Sequence, residues 1–222
     1  MPMDPDAPIE ITAFNHVPPF AQGLVRDLRL RWALEEIDLP YRTRLMDGMS
    51  PRPEGYVKEQ PFEQVPTYHE GDVHLFESGA ILLHIAEKDE RLMPRDAAGR
   101  GRTITWLFSA LNSVEPAIMN LVVIDVFAAG EEWAKLGRPR AEETVRQKLG
   151  RVSVWLGDAD YLEGRFTAAD LLMVTVLRNL RHTKLVDEFP NLAAWKARCE
   201  ARPAFQRALD AQFADFREKE AA

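Results

Sequence analysis

Apolar and polar residues change their spacing several times in the first part of the chain. A short apolar run at 9–14 leads into a proline-containing loop, which is typical of a buried strand. Between 23 and 38 the apolar residues recur every four or five positions, so we predict an amphipathic helix that ends before Pro40. Residues 41–45 alternate with period two, which predicts a strand with one covered face, and the Gly/Pro-rich stretch 47–55 predicts a loop or irregular helix.

A hairpin and a second helix are predicted next. Residues 66–69 and 73–76 are short strand candidates, and Gly71 between them can adopt the positive φ that a tight turn requires. Residues 77–88 return to helical spacing with one apolar face. The predicted order is therefore β-α-β-loop-β-β-α, an α/β arrangement.

The remainder of the chain predicts helices only. Residues 93–96 break the pattern and are interpreted as a linker, and a long helix follows over 104–121 that Pro116 should kink. Further helices are predicted at 140–156, 167–180, 191–201 and 203–216. We therefore predict an α/β domain over 1–92 and an all-α domain over 93–222.

Composition and charge exclude several classes of function. Lys and Arg total 28 against 35 Asp and Glu, a net charge of -7, which is unfavourable for binding nucleic acid. The most apolar stretch, 121–129, is far shorter than the roughly 20 residues of a membrane-spanning helix, so we expect no membrane association. The start, MPMDPDAP, lacks the basic and apolar regions of a signal peptide, so we expect a cytoplasmic protein.

The residues that usually bind structural metals are sparse. The single cysteine, Cys199, can form neither an internal disulfide nor a cysteine metal cluster, and we interpret it as a buried core residue. The five histidines show no spacing typical of metal ligands. We therefore predict no metal site.

A Gln-Val-Pro-Thr sequence, residues 64–67, precedes the third predicted strand. If the Val65–Pro66 bond is cis, as in about 5–6% of X-Pro bonds, the backbone N–H and C=O of Val65 turn outward. These groups could then pair with an extended peptide in the manner of an added strand. For this sequence alone, an ordinary trans bond at the start of an edge strand is the alternative.

Glu77 and Ser78 stand where the fourth predicted strand passes into a helix. Free N–H groups and the helix dipole favour an anion there, and Glu77 could accept a hydrogen bond from an ammonium group. The main-chain end of an amino acid carries both charges. The alternative is that Ser78 only caps the helix.

The two motifs occur together, as QPFEQVP at 60–66, LFESGAI at 75–81 and HIAE at 84–87. In this combination they resemble the glutathione S-transferase family, of the bacterial, cytosolic type, over residues 9 to about 216. The resemblance implies a thioredoxin-like first domain, a helical second domain and a homodimer. It also implies a glutathione site made by Gln64, Val65, Pro66, Glu77 and Ser78, in which Val65 pairs with the cysteinyl backbone and the last two residues hold the γ-glutamyl group.

The loop after the first strand, 15–23, differs from the pattern of most family members. Val17 occupies the position where they place Ser, Tyr or Cys. A thiol with a pKa of about 8.5 needs nearby donors to become a thiolate near neutral pH. We therefore propose Asn15 first and His16 second as catalytic candidates, with Gln22 or backbone N–H groups of the loop as alternatives.

Two features lie in the helical part. Thr167-Ala168-Ala169-Asp170 is a capping box, so we assign Asp170 to folding and not to acid catalysis. Three residues of the first long helix are candidates for bordering an apolar second-substrate pocket: Trp106, Phe108 and Asn112. For the two aromatic residues, a core position is the alternative.

The leading hypothesis is a transferase that joins the sulfur of glutathione, its co-substrate, to an electrophilic, largely apolar small molecule, as in detoxification. A glutathione-dependent peroxidase or disulfide reductase would use the same thiol site. A non-catalytic member that binds glutathione, apolar ligands or a protein partner is the remaining alternative, supported by the missing hydroxyl or thiol in the loop.

Overall fold

The structure, a computed structural model, describes residues 3–221, with side chains up to residue 216. The chain divides into two compact units. The first comprises the residues up to Met93 together with those from Ala201 onward, and the second comprises Pro94–Glu200.

The first unit is built on a mixed four-stranded sheet. Its elements are β1 (Ile9–His16), α1 (Asp27–Glu36), β2 (Tyr41–Asp47), β3 (Thr67–Glu70), β4 (Val73–Phe76) and α2 (Ser78–Ala86). The strand order is β2-β1-β3-β4, with β1 and β2 parallel and the other two pairs antiparallel. The predicted order of strands and helices is thus confirmed.

Strand β1 is longer than the sequence pattern predicts. It continues to His16, which pairs with Asp47 across an irregularity in register after Phe14. The N–H of Gly48 also donates to the carbonyl of His16 at 2.9 Å. Because pairing with β2 extends the strand, Asn15 and His16 lie at its end and not in a loop.

Helix α1 is buried on nearly every side, which corrects the expectation of an amphipathic helix. Its apolar residues Leu28, Leu30 and Trp32 are at most 2% exposed, and Arg29 and Arg31 are at most 3% exposed. The second face of α1 is covered by α8 (Pro203–Ala221), the last helix of the chain. The spacing of apolar residues does not reveal this cover, because a polar residue that is ion-paired in the interior has the same appearance in sequence as one in water.

Ion pairs join α8 to α1. Arg31 donates to Asp27 at 2.7 Å and also bonds Asp215 of α8. Gln212 of α8 donates to Asp27 at 2.7 Å, and Arg207 donates to Glu35 at 2.6 Å. Removing one partner of such a buried pair typically costs about 3–5 kcal/mol. The packing of α8 therefore differs from the predicted assignment of all residues 93–222 to one helical domain.

The second unit is entirely helical in the part that the structure describes. Its helices are α3 (Ala97–Ser109), α4 (Glu115–Val122), α5 (Glu132–Leu156), α6 (Ala168–Leu177) and α7 (Pro190–Glu200). Helix α6 is its centre, since all ten of its residues are buried. Cys199 on α7 is fully buried, in agreement with its interpretation as a core residue.

Helices α3 and α4 are joined by a π-helical turn, Ala110–Val114, which ends two residues before Pro116. Proline has no N–H to donate to the carbonyl four residues earlier, so the hydrogen-bond ladder is interrupted there. The irregularity that Pro116 predicts is therefore present as a wider turn. A second π-helical turn, Val123–Phe127, completes one continuous helical stretch from Ala97.

That stretch, Ala97–Phe127, is long and apolar enough to cross a membrane by length and composition. In its most apolar window, 44% of the residues are buried inside the protein. A single helix of this kind is weak evidence for a membrane span, because core helices of soluble proteins meet the same criterion.

Candidate functional site

A cleft in the first unit brings together all five residues predicted to bind glutathione. This shallow cleft is lined by Arg26, Gln60, Gln64, Val65, Pro66, Glu77 and Ser78. These residues come from the start of α1, the loop before β3 and the junction of β4 with α2. The last two segments, separate in sequence, therefore meet as the motifs require.

The Val65–Pro66 bond is cis, the first of the two forms that the sequence left open. The side chain of Val65 is buried in a small apolar cluster with Met46 and Tyr56. Among residues 3–216, no hydrogen bond is found for the backbone N–H or C=O of Val65. These two groups can therefore pair with a ligand.

The loop that carries Val65 is fixed on both of its sides. Before it, the hydroxyl of Tyr56 donates to the carbonyl of Gln64 at 2.7 Å, and Arg52 donates to the carbonyl of Glu63 at 3.0 Å. After it, the N–H of Thr67 donates to a side-chain oxygen of β1 at 2.7 Å. The backbone of the cleft is thus held by the protein itself.

Glu77 is the N-cap of α2 and has φ 70° and ψ 110°, with no side-chain cap. Ser78 is the first residue of the helix and not its cap, so the capping alternative is wrong. The first N–H groups of a helix have no intrahelical acceptor. Within residues 3–216 the carboxylate of Glu77 has no hydrogen-bond or ion-pair partner. The junction therefore offers donors to an anion and a carboxylate to a cation.

The hydroxyl of Ser78 is oriented from behind. Its Oγ accepts a hydrogen bond from Nη1 of Arg29 at 3.1 Å, and both residues are buried. A guanidinium can only donate, so the serine hydroxyl keeps its own hydrogen for another acceptor. The positive charge of Arg29 also adds to the helix dipole in favouring a ligand carboxylate.

Asn15 and His16 are not among the residues that line this cleft. Nδ1 of His16 lies 3.1 Å from Oδ1 of Asp47, and its side chain is 49% exposed. Oδ1 of Asn15 is buried without a hydrogen-bond partner in the described part of the chain. Val17 is buried. The catalytic role of Asn15 or His16 stays a prediction.

The three candidates for a second-substrate pocket lie at the surface of the second unit. Trp106 is half-buried and packs on Trp155 with ring centroids 5.4 Å apart. Phe108 is 56% exposed, and Asn112 is exposed within the first π-helical turn. A core position is therefore wrong for Phe108, while the contact of all three residues with a substrate stays a prediction.

Within the described residues, no group of three or more His, Cys, Asp or Glu side chains is arranged to hold a metal ion. The cleft in the first unit instead offers backbone donors and acceptors, one hydroxyl, one carboxylate, two glutamine amides and the guanidinium of Arg26. Such groups recognise a peptide-like, zwitterionic ligand.

Comparison with known proteins decides the family. Residues 12–87 match the model of the glutathione S-transferase N-terminal domain, and residues 126–203 match that of the C-terminal domain. This chain belongs to the glutathione S-transferase family. The predicted fold class and enzyme type are confirmed with it.

Relatives of this glutathione S-transferase are found in plants and bacteria. It is 29% identical over 204 residues to a glutathione S-transferase of Hyoscyamus muticus, an alignment that covers 82% of this chain and 92% of the relative. It is 32% identical over 192 residues to glutathione S-transferase 4 of Zea mays, with 78% and 82% covered. The crystal structure of a glutathione transferase family member from Pseudomonas fluorescens pf-5, with two glutathione bound, superposes with a TM-score of 0.78 at 27% identity, covering 90% and 92% of the chains.

Sequence reasoning missed three residues of the glutathione S-transferase cleft or its backing. Arg26 and Gln60 line it, and Arg29 supports Ser78 from behind. The two arginines were interpreted as polar positions of an amphipathic helix. The signal available in the sequence was the concentration of arginines in the segment RDLRLR, in which three of six residues are arginine.

Proposed function

We propose that this transferase binds glutathione in the cleft of its first unit and joins the glutathione sulfur to electrophilic, largely apolar small molecules. Such a reaction would serve detoxification, and we expect it in the cytoplasm. The observation that carries the proposal is the convergence of Val65, Glu77 and Ser78 on one cleft. A glutathione molecule needs an acceptor for its ammonium group, donors for its carboxylate and a strand-like partner for its cysteine.

The γ-glutamyl end would lie at the start of α2. Its carboxylate would accept from the hydroxyl of Ser78 and from the free N–H groups of the helix, with Arg29 close behind. Its ammonium group would donate to Glu77. Hydrogen bonds to charged groups contribute about 1.5–3 kcal/mol each, so this end would supply much of the affinity.

The cysteinyl part would pair with the backbone of Val65. Two hydrogen bonds of the kind found between strands fix an extended ligand without requiring a particular side chain. The ligand sulfur then has a defined position, which is the condition for attack on a second substrate. In the reaction, the thiolate forms a bond to the electrophilic carbon, and either a leaving group departs with its electron pair or the substrate takes up a proton.

The second substrate would contact the second unit. Trp106 and Phe108 present aromatic surface, and Asn112 presents an amide in a π-helical turn, a feature that is frequent at functional sites. An apolar electrophile fits such a surface because its burial removes apolar area from water on both sides.

The decisive experiment measures glutathione affinity and turnover on the same preparation. Titration calorimetry gives the dissociation constant, and kinetics are followed with a panel of electrophiles, with a peroxide and with a mixed disulfide. We expect conjugation to exceed the other two activities. Faster reduction of peroxide or disulfide would overturn the proposed reaction, and tight binding without any turnover would make the chain a non-catalytic member of the fold.

A further inference from the structure

A chain of buried hydroxyl groups lies beneath the loop that carries Val65. Tyr56 Oη donates to the carbonyl of Gln64 at 2.7 Å. Thr12 Oγ1 of β1 lies 3.2 Å from Tyr56 Oη and 3.1 Å from Thr67 Oγ1. It also accepts from the N–H of Thr67 at 2.7 Å. The row of hydroxyl groups thus contacts the backbone before Val65, at Gln64, and after Pro66, at Thr67.

The hydrogen bonds between these hydroxyl groups can have only one direction of donation. The single hydrogen of Tyr56 is donated to Gln64, so Tyr56 must accept from Thr12. The hydrogen of Thr12 is then used, so Thr12 must accept from the hydroxyl of Thr67 as well as from its N–H. Every hydroxyl has a partner, and such chains strengthen one another because each group polarises the next.

The three hydroxyl-bearing side chains are shielded from water, and their backbone or ring is held by the surrounding structure. Thr12, Tyr56 and Thr67 are each at most 1% exposed. Thr12 and Thr67 belong to neighbouring strands, and the ring of Tyr56 packs in the same apolar cluster as Val65. Burial raises the pKa of Tyr56 above its usual value, so the phenol stays a neutral donor at physiological pH.

We infer that Tyr56 and Thr12 are positioning residues that clamp the loop 64–67 and so hold the backbone of Val65 ready to pair with the cysteinyl part of glutathione. The inference rests on the proposed function, because it concerns the same ligand. The clamp acts on the loop from beneath and does not itself touch glutathione or the reacting sulfur. Its loss should therefore weaken the binding of glutathione and leave the binding of the electrophile unaffected.

The test replaces Tyr56 by phenylalanine in the full chain, which removes one hydroxyl and keeps the ring. Because the partly buried carbonyl of Gln64 then loses the donor that fixes it, we expect the dissociation constant and KM for glutathione to rise about tenfold. The KM for the electrophile, and kcat at saturating glutathione, should stay within about twofold. Tyr68→Phe is the matched control, since it removes another buried tyrosine's hydroxyl, which donates to Glu70 at 2.8 Å outside the clamp.

A second pair of variants tests the same clamp from its other end. Thr12→Val removes the oxygen that accepts from Thr67 and should weaken glutathione binding. Thr12→Ser keeps the hydroxyl and should bind glutathione as the wild type does. Unchanged glutathione affinity in Tyr56→Phe and Thr12→Val would overturn the clamp, as would an equal loss in Tyr68→Phe. If the wild-type chain itself does not bind glutathione, the proposed function fails, and that outcome is separate from any comparison of variants.

Discussion

Glu77 adopts a backbone conformation that is rare for a residue with a side chain. A φ of 70° with ψ 110° brings Cβ close to its own backbone and typically costs about 1–3 kcal/mol. The residue stands directly before α2, beside the buried Ser78. Strain of this kind is often stored at ligand sites, which agrees with the proposed role of Glu77.

We predict that Glu77→Ala and Ser78→Ala each weaken glutathione binding by about 1.5–3 kcal/mol, because each removes a hydrogen bond to a charged group of the ligand. Titration calorimetry measures the change, and thermal unfolding should show that both variants remain folded. Glu54→Ala, which removes an exposed glutamate of the same unit, is the control and should bind as the wild type does. Full affinity in both site variants would remove the main support for this site.

Asn15 and His16 differ in the chemistry that they offer to the thiol. If Nδ1–H of His16 donates to Asp47, its Nε2 carries a lone pair and acts as a proton acceptor. The amide nitrogen of Asn15 can only donate. Asn15 would therefore stabilise a thiolate directly, whereas His16 would take up the proton of the thiol.

We predict that Asn15→Ala lowers the fraction of bound glutathione present as thiolate and lowers turnover by about 100-fold, as for loss of an oxyanion donor elsewhere. Thiolate absorbance during a pH titration measures the first quantity. His16→Ala serves as the second variant and Cys199→Ala, a buried change on α7, as the control. Full activity in both Asn15→Ala and His16→Ala would make backbone N–H groups the better explanation, and loss of activity in Cys199→Ala alone would exclude this mechanism.

At the scale of the element, α6 depends on one carboxylate. Asp170 accepts from the backbone N–H of Leu162 at 2.9 Å, from that of Thr167 at 3.0 Å and from the indole of Trp195 at 3.1 Å. The capping box predicted from the sequence is thus confirmed. The bonds to Leu162 and Trp195, which lie outside the box, give the residue a larger role than a cap alone.

We predict that Asp170→Ala destabilises the protein by about 3 kcal/mol or more, compared with about 1 kcal/mol for an ordinary cap, because three buried donors are left without an acceptor. Urea unfolding of the full chain measures the free energy. Asp158→Ala, an exposed aspartate of the same unit, should change it by less than about 0.5 kcal/mol. A loss of only 1 kcal/mol in Asp170→Ala would show that the capping bonds alone matter.

The stability that Asp170 contributes should also depend on pH. Burial raises the pKa of Asp170 to about 6 from its ordinary value of 3.8, although its hydrogen bonds oppose the rise. Between these values the native state holds a proton that the unfolded chain has lost, so this contribution decreases as pH rises. We expect the difference in unfolding free energy between wild type and Asp170→Asn to fall by up to about 3 kcal/mol from pH 4 to pH 6. A difference that stays constant over this range would contradict the raised pKa.

At the scale of the whole molecule, the proposed homodimer has a direct test. The resemblance to the family implies it, and twofold dimers are the commonest soluble oligomers. We predict a sedimentation mass of twice the 25.3 kDa monomer at micromolar concentration. The measurement with and without glutathione also shows whether ligand and assembly are linked. A mass of one chain under both conditions would overturn the prediction.

The sequence by itself determined the order of the elements, the glutathione S-transferase motifs and the capping box of α6. These features are local, because hydrophobic period, turn residues and caps act over a few neighbouring residues. Tertiary structure decided which polar residues are interior. Arg29 and Arg31 have the spacing of solvated side chains, yet Arg29 meets Ser78 and Arg31 meets α8, far away in the chain.

The same distinction explains β1 and the clamp. The strand extends to His16 only because β2 lies beside it, and Tyr56, Thr12 and Thr67 meet only when the loop folds against β1. Such contacts join residues more than 25 positions apart, and no local pattern encodes them. The sequence therefore predicted five of the residues that line the cleft, and the folded structure added Arg26 and Gln60 and decided which residues hold the cleft in place.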